Sequence, residues 1–367
     1  MRPSPDVLVI GGGVIGCAIA HALARGGASV LLVDRGALGG EASGAAAGVL
    51  AVAGGGDEGP RLALRRASRA LFPALAAALR EDTGIDVELV EDGMLEVLLD
   101  DADEAAASAR LAHRRVQGFP VERLDAAALR AAEPAVHPAA RGALFFPDDG
   151  RVTSERLVAA LAAAARRRGA ELIAGLEVHG VERAGERIAR VRAGAQWVTP
   201  GTVVLAAGAW AARVPGVAPG LGVEPVRGQM LALRPAAPLC RHVLARGEAY
   251  LVPTPRGEVL VGSTADAAGF ARGVTLAGLA RLAGHAAALA PSSSAAPVLR
   301  TWSGLRPHVP AGGPLIGRAV STENLLVACG HHRNGVLLAP ITAAAVAALV
   351  EGRPPPVDLT PFAPVGS

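Results

Sequence analysis

The chain has 367 residues, too many for one small hydrophobic core and typical of two domains. It is 51% hydrophobic and only 3% aromatic, and its net charge of +3 comes from arginines spread over the chain without a basic stripe, which argues against nucleic-acid binding. The chain contains no lysine, which excludes a pyridoxal-phosphate enzyme and a P-loop nucleotide site, since both need one.

The first segment of the chain predicts a strand–turn–helix–strand unit. Residues 6–10 form an apolar, β-branched run, and residues 14–25 have helical periodicity with many alanines. Residues 29–33 form a second apolar run, which ends at Asp34. This is the context in which a glycine-rich turn binds a dinucleotide.

The turn itself has the G-x-G-x-x-G spacing of a dinucleotide fingerprint. Gly11 permits the tight turn, Gly13 lets a pyrophosphate approach the backbone, and Gly16 lets the helix pack closely on the strands. The free N–H groups at the start of the helix would bind the phosphates, and Asp34 would accept hydrogen bonds from the adenosine ribose. The motif alone does not separate NAD from FAD, and an ordinary βαβ unit with a glycine-rich turn is the alternative.

After Asp34, residues 35–50 are rich in small side chains and lack the pattern of a regular element. Such a stretch either lies against a flat ligand, with Ser43 as a hydrogen-bond donor, or serves as a flexible linker. A Gly/acid turn is predicted at 54–59. The leucine spacing of residues 61–81 predicts one long amphipathic helix.

The remaining elements alternate between a nucleotide-binding domain and a β-rich second domain. The predicted strands are 87–90, 94–99, 121–124, 143–146, 171–174, 177–182, 202–208, 226–233, 249–252, 259–262 and 324–328. The predicted helices are 101–117, 153–168, 275–289 and 335–350, and residues 298–307 are predicted to run into a turn.

We therefore predict two discontinuous domains. The nucleotide-binding domain would comprise 1–83, 151–215 and 324–367, and the second domain would comprise 84–150 and 216–323.

Neither end of the chain is predicted to enter a membrane. Residues 335–350 carry no charge, but they contain Pro340 and are shorter than a bilayer span, which favours a buried core helix. The apolar run near the N-terminus follows Asp6 and is broken by the glycine fingerprint, which is not the pattern of a signal peptide.

The cysteines indicate neither a disulfide framework nor a metal site. Cys17, Cys240 and Cys329 are odd in number, far apart and without metal-ligand spacing. We expect three reduced thiols in a cytoplasmic protein, with Cys17 packed inside the first helix.

Four further motifs follow the fingerprint. They are EASGAAAGVL at 41–50, VVLAAGAW at 203–210, GLRPHVPAGGPLIG at 304–317 and VACGHHRNGVLLAP at 327–340. With these motifs, which span nearly the whole chain, the sequence resembles the D-amino-acid-oxidase-like FAD-dependent oxidoreductases. Within that family it is most similar to the glycine oxidases of thiamine biosynthesis.

The resemblance implies a fold of the α/β plus α+β class, in which a Rossmann-like FAD-binding domain is interleaved with a substrate domain built on an antiparallel sheet. It implies oxidative deamination of glycine, with hydride transfer from the α-carbon to flavin N5. Dioxygen would reoxidise the flavin and give hydrogen peroxide. The products would be the imine or glyoxylate and ammonia, and the imine would supply the thiazole of thiamine.

The resemblance also places FAD, which is expected to bind noncovalently. Around the ADP portion it implies Gly11, Gly13, Val14, Ile15, Gly16, Asp34 and Arg35, with Val178 at the adenine. Along the pyrophosphate and flavin it implies Ala42, Ser43, Ala47, Gly48 and Val49. Around the pyrimidine end of the flavin it implies His331, His332, Arg333, Asn334, Gly335, Val336 and Leu337.

Three side chains are implied to hold the substrate. Arg306, in GLRP, matches the arginine that binds the substrate carboxylate, a task suited to a planar guanidinium. Arg333, in HHRNG, would gate the substrate or hold the carboxylate with Arg306. Tyr250, the only tyrosine, would lie beside the carboxylate. A surface salt bridge is the ordinary alternative for each arginine, and a sheet aromatic is the alternative for Tyr250.

Two positions depart from the family pattern. His332 stands where a bulky apolar residue is expected, and Ala265 is small where the family often has a larger side chain. Together they would enlarge the pocket, so sarcosine and small D-amino acids such as D-alanine are alternative substrates. His331 and His332 are not expected to act as a base, because amine activation in this family usually needs none.

Two other functions remain open at this point. One is a D-amino-acid dehydrogenase of the same fold that passes electrons to a quinone, and the other is a noncatalytic flavin-binding partner protein. The expected partners are a small amino-acid substrate, dioxygen, a thiazole synthase and further copies of the chain, without nucleic acid, metal or membrane.

Overall fold

The computed structural model describes residues 1–55 and 58–364. Part of the predicted turn at 54–59, and the last three residues of the predicted nucleotide-binding domain, lie outside the described residues. The strands are β1 Val7–Ile10, β2 Val30–Asp34, β3 Val49–Leu50, β4 Met94–Leu98, β5 Glu122–Asp125, β6 Gly142–Phe146, β7 Gly150–Arg151, β8 Glu171–Ala174, β9 Val178–Ala184, β10 Arg187–Ala193, β11 Gln196–Val198, β12 Thr202–Leu205, β13 Glu224–Leu233, β14 Val243–Arg246, β15 Ala249–Pro253, β16 Val259–Gly262, β17 Val298–His308, β18 Leu315–Arg318 and β19 Leu325–Cys329.

The helices lie between groups of these strands. They are α1 Val14–Arg25, α2 Ala42–Ala45, α3 Gly59–Ala70, α4 Phe72–Thr83, α5 Asp101–Val116, α6 Ala126–Ala132, α7 Ser154–Arg167, α8 Leu276–Leu289 and α9 Gly335–Val350. Short 3-10 turns span Gly208–Arg213, Pro291–Ala295, His332–Asn334 and Thr360–Phe362.

A six-stranded sheet has the order β18-β19-β12-β1-β2-β8. Its strands are parallel except for β18, which is antiparallel at one edge. Because side chains alternate along a strand, Val7 and Val9 of β1 pack into the core shared with α1, α7 and α9, whereas Leu8 and Ile10 pack toward the small sheet β11-β10-β9. Burial on both faces explains why these strands are uniformly apolar.

An eight-stranded sheet forms the second layer of the molecule, in the order β17-β13-β16-β15-β14-β4-β6-β5. Its neighbours are antiparallel except for the parallel pair β14 and β4. The strands come from two separate stretches of chain, and α8 packs against the sheet through Leu282, Ala286 and Leu289. The predicted fold class, a Rossmann-like unit interleaved with an antiparallel substrate sheet, is confirmed.

One predicted domain boundary, at residue 324, does not fit the strand pairing. β18 lies inside the range 216–323 predicted for the second domain, yet it pairs with β19 at the edge of the six-stranded sheet. The chain has therefore returned to the first sheet by Leu315, before the predicted boundary at residue 324. We propose that the other boundaries stay as predicted.

Several elements differ from their predicted form. Residues 61–81 form two helices, because Pro73 at the start of α4 has no N–H to continue the bonding of α3. Residues 298–307 do not turn, since β17 pairs with β13 from Val298 to His308. Residues 87–90 contribute only an isolated bridge at Val90. The featureless stretch 35–50 contains α2 and β3.

The closing helix α9 is the buried core helix that the sequence predicts. The segment His332–Val350 is long and apolar enough to cross a membrane by length and composition, but 67% of its apolar window is buried inside the protein. Pro340 lies within the helix and is itself buried. A buried core helix can have the same length and apolar composition as a membrane-spanning helix.

Candidate active site

A cavity of about 850 Å³ is lined by residues of both large sheets. It opens at the carboxyl ends of the parallel strands β1, β2 and β12, where open α/β sheets bind their ligands. The predicted site residues that line it are Gly11, Gly13, Val14, Ile15, Asp34, Arg35, Ala42, Ser43, Ala47, Gly48, Val49, Val178, Tyr250, Arg306, His331, His332, Arg333, Asn334, Gly335 and Val336.

Two predicted residues, Gly16 and Leu337, are not among the lining residues. A Cβ atom on Gly16 would overlap the carbonyl oxygen of Gly11, so this glycine permits the close helix–strand packing that the sequence predicts. Leu337 is buried within α9, and its carbonyl oxygen accepts a hydrogen bond from the Ser68 hydroxyl at 2.6 Å. The side chain of Leu337 therefore belongs to the core, and the placement of this residue at the flavin stays a prediction.

The fingerprint turn has the geometry that close backbone approach requires. Gly11 has φ +114°, and a Cβ atom there would overlap Ala206 at the end of β12. The Asp34 carboxylate accepts hydrogen bonds from the N–H of Gly12 at 2.6 Å and of Gly36 at 2.7 Å. Asp34 is thereby fixed at the end of β2, on the cavity wall, where its oxygens can also accept from a ribose hydroxyl.

Ser43 connects the 35–50 stretch to the start of α1. The N–H of Val14 donates to the Ser43 hydroxyl at 2.9 Å, so the hydroxyl serves a helix whose own N-cap, Gly13, has no side chain to offer. The Ser154 hydroxyl donates to the Ser43 carbonyl at 2.6 Å and anchors α2 to α7. The stretch is therefore a fixed wall of the cavity rather than a linker.

The same wall is held by a buried carboxylate that the sequence did not reveal. Asp149 accepts hydrogen bonds from the N–H groups of Val52 at 2.7 Å, Ala53 at 3.1 Å and Gly54 at 2.9 Å. Burial raises the pKa of Asp149 against the lowering effect of these donors. Gly48, with φ +79°, completes the wall, and a Cβ atom there would overlap the Val152 carbonyl oxygen.

At the other end of the cavity, Arg306 and Tyr250 lie side by side. The Arg306 guanidinium donates to the carbonyl oxygen of Thr264 and to the hydroxyl of Ser263, both at 2.9 Å. Burial lowers the pKa of Arg306, opposed by the Tyr250 hydroxyl beside it. Tyr250 Oη donates to the Met230 sulfur at 3.2 Å, a weak acceptor that a carboxylate would readily replace.

Arg333 and the two histidines complete this end. Arg333 is exposed on its 3-10 turn, and its charge lies near enough to lower the pKa of Arg306. His331 is buried, with Nε2 3.1 Å from the Thr342 hydroxyl, and burial lowers its pKa to about 3. Burial, His308 and the two arginines lower the pKa of His332 to about 4, so both rings are neutral at pH 7.

Of the two positions that depart from the family pattern, only His332 lines the cavity. Its ring centroid lies 4.8 Å from that of His308. Ala265 is exposed and is not among the lining residues, so an effect of its small size on the cavity stays a prediction.

An aromatic and cationic cluster that the sequence did not predict covers the end near Asp34. The guanidinium carbons of Arg35 and Arg272 lie 4.2 and 5.2 Å from the Trp210 ring centroid. Arg272 also pairs with Glu41 at 2.8 Å. Trp210 is the last residue of the VVLAAGAW motif, and this motif is the one sequence feature that points to the cluster.

The cavity fits an extended dinucleotide. Backbone with no room for a side chain faces it at Gly11 and Gly48, a helix N-terminus opens onto it at Val14, and a carboxylate lies at the end of β2. These are the features that hold the pyrophosphate and ribose of FAD. The Arg306 guanidinium and the Tyr250 hydroxyl line the adjoining part of the cavity.

Comparisons with known proteins agree with this geometry. The family model described as DAO, FAD dependent oxidoreductase, matches residues 6–349. The chain is 38% identical to a glycine oxidase of Geobacillus kaustophilus, over 97% of this chain and 96% of that protein. It superposes on a crystal structure of glycine oxidase from Geobacillus kaustophilus with a TM-score of 0.94 and 35% identity, over 100% of both chains.

Two relatives have other names. The chain is 34% identical to the hydrogen cyanide synthase subunit HcnC of Pseudomonas aeruginosa, over 99% of this chain and 96% of that protein. It is 34% identical to the bifunctional protein ThiO/ThiG of Nostoc sp., over 94% of this chain and 52% of that protein.

Proposed function

This chain belongs to the DAO family of FAD-dependent oxidoreductases, and we propose that within this family it oxidises glycine, with sarcosine and small D-amino acids as further candidate substrates. The resemblance seen in the motifs is confirmed, and with it FAD as the cofactor and FAD-dependent amino-acid oxidation as the activity. Glycine, dioxygen as acceptor, and the residue roles belong to the proposal.

The observation that carries the proposal is the partly buried Arg306 beside Tyr250. The hydrogen bonds from its guanidinium go to a carbonyl and a hydroxyl, both neutral acceptors. A partly buried cation held by neutral acceptors gains most from a carboxylate, which can take two parallel N–H groups of a guanidinium. A small α-amino acid would place its carboxylate there and its α-carbon toward the rest of the cavity.

The electrostatics of this end also favour the reactive form of the substrate. Arg306, Arg333 and the neutral ring of His332 line this end. None of the described residues that line it there is a carboxylate, and Glu248, outside the lining, is the carboxylate that acts on Arg306. Such surroundings favour a bound amine that has lost its extra proton, which must happen before hydride can leave the α-carbon. Bound FAD supplies the hydride acceptor and passes the electrons to dioxygen, giving hydrogen peroxide.

The start of α9 gives the flavin end its polarity. Gly335 and Val336 line the cavity at the N-terminus of this 16-residue helix. The positive end of the helix dipole stabilises negative charge placed near it. The segment 331–336 would therefore hold the pyrimidine side of the flavin.

Supply of glycine imine for thiazole synthesis is part of the proposal, supported by the relative named ThiO/ThiG. A thiazole synthase would then be the partner that receives the imine, and the enzyme would work in the cytoplasm, with its three buried cysteines reduced. A homo-oligomer remains our expectation from the sequence.

Oxygen consumption with a substrate panel tests the proposal. The FAD-loaded enzyme is mixed in air with glycine, sarcosine, D-alanine or L-alanine, and oxygen, peroxide, glyoxylate and ammonia are measured. We expect equal amounts of oxygen consumed and peroxide formed with glycine, and no reaction with L-alanine.

Three other outcomes would each assign a different function. Reduction of a quinone or dye without peroxide would show a dehydrogenase. Cyanide in place of glyoxylate would place the chain with the relative named for hydrogen cyanide synthesis. An inert flavoprotein would be a noncatalytic partner protein.

A further inference from the structure

The segment 263–275, between β16 and α8, holds Arg306 through its first two residues. One terminal nitrogen of the guanidinium donates to the Thr264 carbonyl, and the other donates to the Ser263 hydroxyl. Ser263 is 2% exposed and Thr264 is fully buried, so neither acceptor exchanges freely with water. Each terminal nitrogen carries a second N–H, and the Tyr250 hydroxyl lies within hydrogen-bond reach of the guanidinium.

The turn that carries the Thr264 carbonyl is fixed by Asp266. The Thr264 hydroxyl donates to the Asp266 carboxylate at 2.8 Å, and the side-chain amide of Gln229 donates to the same oxygen at 2.7 Å. The N–H of Gln229 donates in turn to the Thr264 hydroxyl at 3.0 Å. Burial would raise the pKa of Asp266, but the Gln229 and Thr264 hydrogen bonds and nearby arginines outweigh it and lower the pKa.

Close packing limits the movement of the guanidinium on its other side. Gly228 lies opposite Gly304 in the pairing of β13 with β17, two residues before Arg306. A Cβ atom on Gly228 would overlap the Arg306 guanidinium. The arginine is therefore held between a glycine backbone and two hydrogen-bond acceptors on the 263–275 segment.

We propose that Ser263 and Asp266 are positioning residues for the carboxylate-binding arginine: Ser263 holds one terminal nitrogen directly, and Asp266 holds the turn that presents the Thr264 carbonyl to the other. This inference rests on the proposed function, since it takes Arg306 as the group that binds the substrate carboxylate. A guanidinium fixed in orientation loses less entropy when it accepts a bidentate ligand. Both residues therefore act on substrate affinity and leave the chemical step unaffected.

Acetate is the probe for this inference, because it has the carboxylate of glycine without a reacting amine. The FAD-loaded enzyme is titrated with acetate, and binding is followed by the perturbation of the flavin spectrum. We expect Ser263→Ala to raise the Kd of acetate and the KM of glycine by about two- to tenfold, the range of one ordinary hydrogen bond, with kcat unchanged.

A conservative variant and a matched control separate positioning from folding. Ser263→Thr keeps the hydroxyl and should restore the acetate Kd. Ser294→Ala removes an exposed hydroxyl that donates to Pro291 in the same domain, and it should change nothing. An unchanged acetate Kd in Ser263→Ala, or the same loss in Ser263→Thr, would overturn the inference.

Asp266→Asn is the second test, and it tests the positioning of Arg306 even if Ser263→Ala fails to load FAD. An amide is a weaker acceptor than the carboxylate for Gln229 and Thr264, so acetate affinity should fall while kcat holds. Unchanged acetate affinity would remove Asp266 from this role. If glycine fails to reduce the wild-type flavin, the proposed function fails, whereas the acetate titration still reports on the site of Arg306.

Discussion

Replacing Arg306 with alanine is expected to raise the KM for glycine by about 10- to 150-fold. The guanidinium is partly buried at the cavity wall, where it donates to Ser263 and Thr264 and lies beside the Tyr250 hydroxyl. A charge-assisted hydrogen bond contributes about 1.5–3 kcal/mol, and 1.4 kcal/mol is a factor of ten in affinity. A bidentate pair should lie toward the upper end of this range.

The assay is steady-state peroxide formation over a range of glycine concentrations, combined with the acetate titration of the oxidised flavin. Arg306→Lys keeps the charge but loses the planar fork, so its KM should lie between those of the wild type and Arg306→Ala. Arg300→Ala is the matched control, because Arg300 lies on the same strand but is exposed and pairs with Glu258 at 2.9 Å. A KM for Arg306→Ala within threefold of the wild-type value would refute carboxylate binding by Arg306.

Three further predictions concern other parts of the site. Tyr250→Phe should raise the glycine KM by about two- to tenfold with little change in kcat in the same peroxide assay, and an unchanged KM would place the hydroxyl away from the carboxylate. Gly48→Ala should lower the FAD content and the melting temperature, because Gly48 has φ +79° and a Cβ atom there would overlap Val152. Gly273→Ala is the control, since open space surrounds Gly273, and it should have the wild-type FAD content and melting temperature. Full FAD retention by Gly48→Ala would contradict this account of the cavity wall. Burial lowers the pKa of His331 from 6.5 to about 3, so its contribution to stability is fully present above pH 6.5 and is lost as the pH falls toward 3. In urea unfolding, the free energy of unfolding of His331→Asn should therefore fall less between pH 7 and pH 4 than that of the wild type. Equal losses would contradict the burial of a neutral His331 ring.

The parts of the structure that the sequence predicted best are those set by short-range patterns. The unit β1–α1–β2 follows from two apolar runs, a helical period and three glycines within 29 residues. The segment 331–336 and Arg306 lie within motifs specific enough to carry a family resemblance. The helix 61–81 was predicted as continuous because its leucine spacing persists across Pro73, whereas the missing N–H ends α3 at Ala70.

The features that sequence reasoning missed depend on contacts between distant residues. Asp149 holds the backbone of Val52 from 97 positions away, and Ser263 holds Arg306 from 43 positions away. Neither residue lies in a motif, and no periodicity links it to its partner. Ser43 was identified as a candidate ligand contact, but its bond to the N–H of Val14, across 29 residues, was visible only in the fold.

Anaerobic reduction of the flavin by glycine tests the central claim most directly. The FAD-loaded enzyme is mixed with glycine, sarcosine or D-alanine without oxygen, and the visible flavin absorbance is followed. Our account predicts rapid bleaching by glycine, reversed on admission of air with one equivalent of hydrogen peroxide. A fully loaded flavin that none of the three amines bleaches would contradict the account and would assign this cavity to a different substrate.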